Sequence, residues 1–294
     1  MSELSGVIAP ATTPFDADGD IDFAAAANQI SWLIENGVHG VAVGGSTGEG
    51  HTLEAEEFRD LISASCEAAA GKIPVVAGII TDSTRDAIKR AQLIADADVA
   101  ALQVTPVHYL FRPDDRSMIE HFRTMANETG RKIIIYNVVP WTYLSPDLLL
   151  RIMDEVPNVI GVKQSAGDLK LFADLMAGAK PGNLIFSAVD ALMYPSYTLG
   201  AQGSIAAILS AAPKPSVDLW DAVKAGDHPK ALALHLKLLA LWNAMLHDNL
   251  PACTKFAQTL QGCPAGLPRQ PMPPANDTQR AAITGALKEL GLTA

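Results

Sequence analysis

The chain has 294 residues, long enough for one large domain or two, and 49% hydrophobic residues, enough to fill a sizeable core and to exclude a disordered, fibrous or coiled-coil protein. Its 22 Lys and Arg against 32 Asp and Glu give a formal charge of -10, so no basic surplus exists to displace counterions and a general nucleic-acid binder is excluded. Cys66, Cys253 and Cys263 are too few and too scattered for a disulfide framework or a thiolate zinc cluster; with no leader-like N-terminus and no run of about eighteen apolar residues, a cytoplasmic protein without a membrane partner is expected.

In chain order, β-type runs at 6–11, 38–43, 73–78, 99–104, 132–136, 159–163, 183–187 and 203–207 predict strands. Between and after them, helical spacing predicts helices at 23–36, 54–70, 84–96, 114–129, 146–155, 168–177, 190–199 and 214–224. Strict alternation of this kind predicts an α/β fold, a closed (β/α)8 TIM barrel whose largely apolar sheet is buried on both faces. Ser145 before Pro146 reads as an N-cap followed by proline at the first helical position, where the missing donor costs nothing, and Ser83 caps the helix that follows it in the same way. Pro74 lies inside the third run, so that strand is expected to begin after it. Beyond residue 225 only helices are predicted, at 228–247, 250–262 and 276–291, with a Pro-rich connection at 264–276. The expected organisation is a barrel over 1–225 and a C-terminal helical extension over 226–294, packed on the barrel as one folding unit.

Barrel sites form at the carboxyl ends of the strands, which directs attention to the residues there. The second strand runs into Gly44-Gly45-Ser46-Thr47-Gly48-Glu49, where close backbone approach, N–H groups and two hydroxyls suit a carboxylate; a tight structural turn is the other reading, and the spacing fits neither a dinucleotide nor a phosphate loop. The fourth leads to Thr105-Pro106-Val107-His108-Tyr109, an aromatic loop that either packs or completes a proton relay, and Arg112 and Arg116 beyond it read as solvated charges. The fifth ends in Tyr136, whose hydroxyl can give and take a proton, and the sixth ends in Lys163. A lysine ending a buried strand either snorkels to an ion pair or reaches a polar site. In the second case desolvation keeps its amine partly neutral, ready to attack a carbonyl and form a Schiff base that stabilises a neighbouring carbanion. Ser165 and Asp168 are candidate caps of the sixth helix, and Gly200 through Ser204 lead into the eighth strand, with Gly203 and Ser204 as candidates for backbone access to a pocket or for a compact turn. His39, His51, His121, His235 and His247 have no zinc-motif spacing, so no metal and no cofactor are expected.

Together, Ala11-Thr12-Thr13-Pro14-Phe15, the GGSTGE segment, Tyr136-Asn137, Lys163, Gly200 through Ser204 and Asn249 through Lys255 resemble the dihydrodipicolinate synthase and N-acetylneuraminate lyase family of class I Schiff-base enzymes. The resemblance implies a barrel with a helical extension, assembled as a homotetramer of two tight dimers. It implies that Lys163 forms the imine, that Tyr136 transfers protons, that Ser46 and Thr47 bind the 2-keto carboxylate with backbone groups of Gly45 to Thr47 and partner the tyrosine, and that Tyr109, or His108, completes the relay from a neighbouring subunit. The synthase branch places an arginine five residues after the tyrosine to hold a second carboxylate, and here that position is Trp141, a large apolar face in place of a bidentate clamp. The expected function is a Schiff-base lyase, an aldolase, dehydratase or deaminase, acting on pyruvate or a related 2-keto acid. His108, Trp141, Ser165, Gly203 and Ser204 are candidates for specificity. The alternatives are 4-hydroxy-tetrahydrodipicolinate synthase, condensing pyruvate with aspartate semialdehyde, and a non-catalytic keto-acid-binding or sensor protein.

Overall fold

The computed structural model describes residues 4–107 and 109–293. Among them, eight parallel strands close into one barrel in sequential order: β1 Gly6–Pro10, β2 Gly40–Val43, β3 Val75–Ile79, β4 Ala101–Val104, β5 Ile133–Asn137, β6 Val159–Gln164, β7 Leu184–Ser187 and β8 Gly203–Ser204, which pairs back to β1. The connecting helices are α1 Phe23–Glu35, α2 Ala55–Ala69, α3 Thr84–Leu93, α4 Asp115–Thr129, α5 Pro146–Glu155, α6 Leu169–Gly178, α7 Met193–Thr198, α8 Ile208–Ala211 and α9 Pro213–Lys224, and α10 His228–Met245, α11 Leu250–Leu260 and α12 Asp277–Glu289 complete the chain. This is the (β/α)8 barrel with a helical extension that the alternation predicts. None of the described helices is long and apolar enough to cross a membrane.

The strands alternate their side chains between two cores. Ile8, Ala42, Val76, Ala101, Ile134, Phe186 and Ile205 fill the barrel interior, while Val7, Ala9, Val41, Val43, Leu102, Ile133 and Ile135 pack outward against the helices. Residues on both faces are almost wholly buried, which is why these runs read as continuous apolar stretches.

Local chemistry sets the boundaries. Ser145 accepts from the Leu148 N–H with Pro146 at the first turn, and Ser83 accepts from the Asp86 N–H. At α6, Asp168 is the cap, accepting from Lys170 N–H at 2.7 Å, and Ser165 stays free to face the barrel mouth. β3 begins just after Pro74, whose carbonyl still accepts from Val41 N–H at 3.0 Å. Two elements differ from the sequence reading. The eighth strand, expected to reach 207, stops at Ser204 because the chain turns there into α8. The seventh helix begins with a 3-10 turn, Asp190–Leu192, in which the Asp190 carboxylate accepts from the Ile208 N–H at 2.7 Å and ties the two turns together.

The extension lies against the last part of the barrel. α10 packs along α9 and α12, and α11 packs on α8 and α12. Leu238, Leu241, Cys253, Ala257, Ile283 and Leu287 join the same buried cluster as the sheet and its helices.

Candidate active site

Tyr136 and Lys163 are register partners on β5 and β6. Tyr136 is two residues beyond the inward-facing Ile134, so both side chains point into the barrel at its carboxyl end. The Lys163 Nζ stands 3.7 Å from the centre of the Tyr136 ring, and only 4% of the lysine is exposed. Burial penalises its charged form and brings the pKa down to about 7, against an opposing pull from the Asp190 carboxylate. The amine is therefore substantially neutral at neutral pH, as nucleophilic attack requires. Asp190 is itself buried, and desolvation raises its pKa to about 6, while the Ile208 N–H and Lys163 favour its charged form.

The Tyr136 hydroxyl donates to Ser46 Oγ at 3.1 Å. Burial pushes the phenol up to about 12, so it is held protonated and passes protons along a hydrogen bond instead of resting as phenolate. Of the two hydroxyls after β2, Ser46 meets the tyrosine and Thr47 faces the cavity.

The turn that carries them needs its glycines. Gly44 has φ +71°, a conformation that L side chains rarely adopt, and a Cβ on Gly50 would stand 1.8 Å from the Gly44 carbonyl oxygen. Below the turn, Glu49 is fully buried and holds Lys255 Nζ at 2.6 Å and the Arg269 N–H at 2.9 Å. Lys255 donates to the Leu267 carbonyl as well, at 2.6 Å. The extension thus fastens the loop that presents Ser46 and Thr47.

These groups open on a cavity of about 500 Å³. Lys163, Tyr136, Ser46, Thr47, Ser165 and Asp190 line its inner part, and His51, Trp242, Asp248, Leu250 and Met272 its outer part. Gly45 supports the turn from behind, its carbonyl accepting from the Gly50 N–H at 3.0 Å, and a Cβ there would stand 3.2 Å from the Gln103 side-chain nitrogen.

Four other expected site residues lie away from this cavity. Ser204 points outward and shares a short hydrogen bond with the Tyr197 hydroxyl of α7, because alternation on β8 gives the inward place to Ile205. Gly203 is wall: a Cβ there would stand 2.1 Å from the Gly6 carbonyl oxygen. Trp141 is 64% exposed on a 3-10 turn, Pro140–Thr142, and donates from Nε1 to the Tyr109 carbonyl at 3.0 Å. Tyr109 is 65% exposed, so within a single chain it does not reach the relay. His108 lies outside the described residues. The sequence reading missed Asp190 and the outer wall of Trp242, Asp248, Leu250 and Met272. Asp190, three residues past the end of a buried strand, carried the only available signal, the same one that marks Lys163.

A closed β/α barrel with a desolvated, partly neutral lysine facing a tyrosine–serine pair at the strands' carboxyl ends defines a lysine Schiff-base enzyme. The comparisons agree, since the model of the dihydrodipicolinate synthetase family matches residues 3–290. The chain belongs to that family, and with it to the class I Schiff-base lyases. It is 31% identical to 4-hydroxy-tetrahydrodipicolinate synthase of Bacillus subtilis over 284 residues, covering 95% of this chain and 96% of the relative. It is 32% identical to the synthase of Methanopyrus kandleri over 293 residues, covering 99% and 97%. Among solved structures, YagE of E. coli K12, a prophage protein of the dihydrodipicolinic acid synthase family in complex with pyruvate, superposes with a TM-score of 0.94 at 26% identity, covering 99% of this chain and all of YagE.

Proposed function

We propose that the protein is a lyase acting on pyruvate or a related 2-keto acid through a Schiff base on Lys163. The observation that carries this reading is the Lys163 amine, 4% exposed, with its pKa brought down to about 7, beside Tyr136 in the cavity. Neutral Nζ attacks the keto carbon, the carbonyl oxygen leaves as water after protonation, and a protonated imine forms. That imine withdraws electrons from the adjacent carbon, so a proton or a bonded fragment at that carbon can depart and an enamine results. The enamine carbon then takes up a proton or an electrophile, and water releases the product from Lys163. Tyr136, bonded to Ser46, supplies and recovers the protons, while Ser46, Thr47 and the neighbouring N–H groups hold the keto acid's carboxylate.

Among individual reactions the relatives favour the synthase condensation of pyruvate with aspartate semialdehyde over an unspecified aldolase, dehydratase or deaminase, since 4-hydroxy-tetrahydrodipicolinate synthase is the name borne by both curated relatives above. No arginine lines the cavity among the described residues, so the semialdehyde's carboxylate would need another partner, while Asp248 offers one to its ammonium group.

A homotetramer built from dimers is part of the proposal, supported by exposed Tyr109, Leu110 and Phe111 on the loop after β4 and exposed Trp141 on the loop after β5, which hydrogen-bonds to Tyr109. So is a cytoplasmic location, supported by three free cysteines, two of them buried.

Borohydride reduction with pyruvate, followed by peptide mass mapping, tests the chemistry. An adduct is expected on Lys163, absent in Lys163→Met and retained in Tyr136→Phe, whose turnover is expected to fall about 10²–10⁴-fold. Turnover without an adduct on Lys163 would overturn the mechanism. Condensation of pyruvate with aspartate semialdehyde by the purified protein tests the synthase reading. Its failure while another keto-acid reaction proceeds removes that reading and leaves the Schiff base standing.

A further inference from the structure

Beyond the keto-acid end, the cavity continues to a rim supplied by the extension. Trp242 comes from α10, Leu250 opens α11, Asp248 lies between these helices and Met272 lies in the Pro-rich connection before α12. Trp242, Leu250 and Met272 are half-buried and offer apolar faces, whereas Asp248 is exposed and its carboxylate pairs with no cation among the described residues. Among the described residues, the ionisable side chains lining this cavity are His51, Tyr136, Lys163, Asp190 and Asp248, with no arginine and no second lysine.

The charge balance of a bound substrate follows. The single lysine sits at the inner end, where it becomes the protonated imine and faces the keto acid's own carboxylate. A second negative charge, carried outward on the substrate's tail, would meet Asp248, while Arg269, which lines the adjoining cavity that shares Asp248, has its guanidinium committed to Glu57 and to the Gly19 and Thr52 carbonyls. Like charges brought together at the mouth of a cleft repel, and such a juxtaposition discriminates between ligands. The apolar faces of Trp242, Leu250 and Met272 meanwhile favour a tail that gives up water readily.

We propose that the outer cavity takes a 2-keto acid tail carrying no net negative charge, packed on Trp242 and its neighbours and selected by Asp248. This rests on the Schiff-base reading above and specifies the substrate class of the same site. A hydrocarbon tail satisfies it, and so does one in which an ammonium group balances a carboxylate.

The test compares 2-oxohexanoate with 2-oxoadipate, which share a six-carbon backbone and differ in a terminal methyl against a terminal carboxylate. Half-saturation of borohydride trapping on Lys163 is measured for both at pH 8. Pyruvate, which has no tail, is run alongside. The neutral acid is expected to half-saturate at about tenfold lower concentration than the dianion. Asp248→Asn is expected to narrow that ratio by improving 2-oxoadipate, and Asp248→Lys to reverse it. Because each variant is read as a ratio of two ligands, a general loss of trapping capacity does not imitate the effect. Equal half-saturation in the wild type, a ratio indifferent to both substitutions, or trapping of pyruvate with neither longer acid overturns the proposal. Failure to trap pyruvate itself instead overturns the Schiff-base reading on which it rests.

Discussion

Lys163 becomes reactive through where its amine is placed, and pH should expose this. Imine formation needs the neutral amine, so a lysine brought down to about 7 gains reactivity as pH rises through that value and levels off above it. An ordinary lysine would still be gaining near 10.4. The initial rate of borohydride-trapped imine formation with pyruvate, followed across pH, is expected to show a midpoint near 7. Asp190 holds the lysine's pKa up, so Asp190→Asn is expected to move the midpoint to lower pH; movement to higher pH would contradict the electrostatic role assigned here. Lys163 and Tyr136 were legible in the sequence because each ends an apolar run where a polar side chain is out of place. Asp190 was not, because it sits in a connector without periodicity and meets Lys163 only once the barrel closes.

At the level of elements, the turn after β2 depends on the extension. Glu49 and Lys255 are 206 positions apart and both almost completely buried. Removing one partner leaves the other's charge buried without compensation, a change that typically costs about 3–5 kcal/mol. Urea unfolding is expected to show losses of that order for Glu49→Gln and for Lys255→Met taken singly. The double variant should lose clearly less than the two combined, and simple additivity would show that the pair is not coupled. The sequence marked the turn through its glycines and marked Lys255 only through family resemblance. It contained no sign that Glu49 points down into the protein, because that direction follows from the αL conformation at Glu49, φ 53°, and from the position of α11. The short β8 escaped the reading for a related reason. Residues 205 to 207 are as apolar as a strand, and only the turn fixed by Asp190 and Ile208 ends the strand and leads the chain into α8 at Ile208.

At the scale of the whole molecule, apolar groups remain uncovered on the loop after β4, where Phe111 is 77% exposed beside Tyr109 and Leu110. Their burial between subunits is the assembly proposed above. Phe111→Glu is therefore expected to lower the mass measured by sedimentation equilibrium, with far-ultraviolet circular dichroism unchanged; a wild-type chain that sediments as a monomer would remove the proposal. We also propose that barrel and extension unfold as one unit. α10, α11 and α12 share the barrel's buried cluster and supply Trp242, Leu250 and Lys255 to the site or its support.

The sequence by itself determined the class of fold, the lysine, the tyrosine and the hydroxyl-bearing turn, because alternation and the exceptions to it are local properties of the chain. Tertiary structure decided which of those groups meet. It joined Ser46 to Tyr136, sent Ser204 to the outer face and left Trp141 at the surface. It also brought Trp242 and Asp248 to the cavity from beyond the barrel's last strand. These are consequences of barrel closure and of helices folding back over its mouth, which join residues far apart in the chain and leave no periodic trace in it.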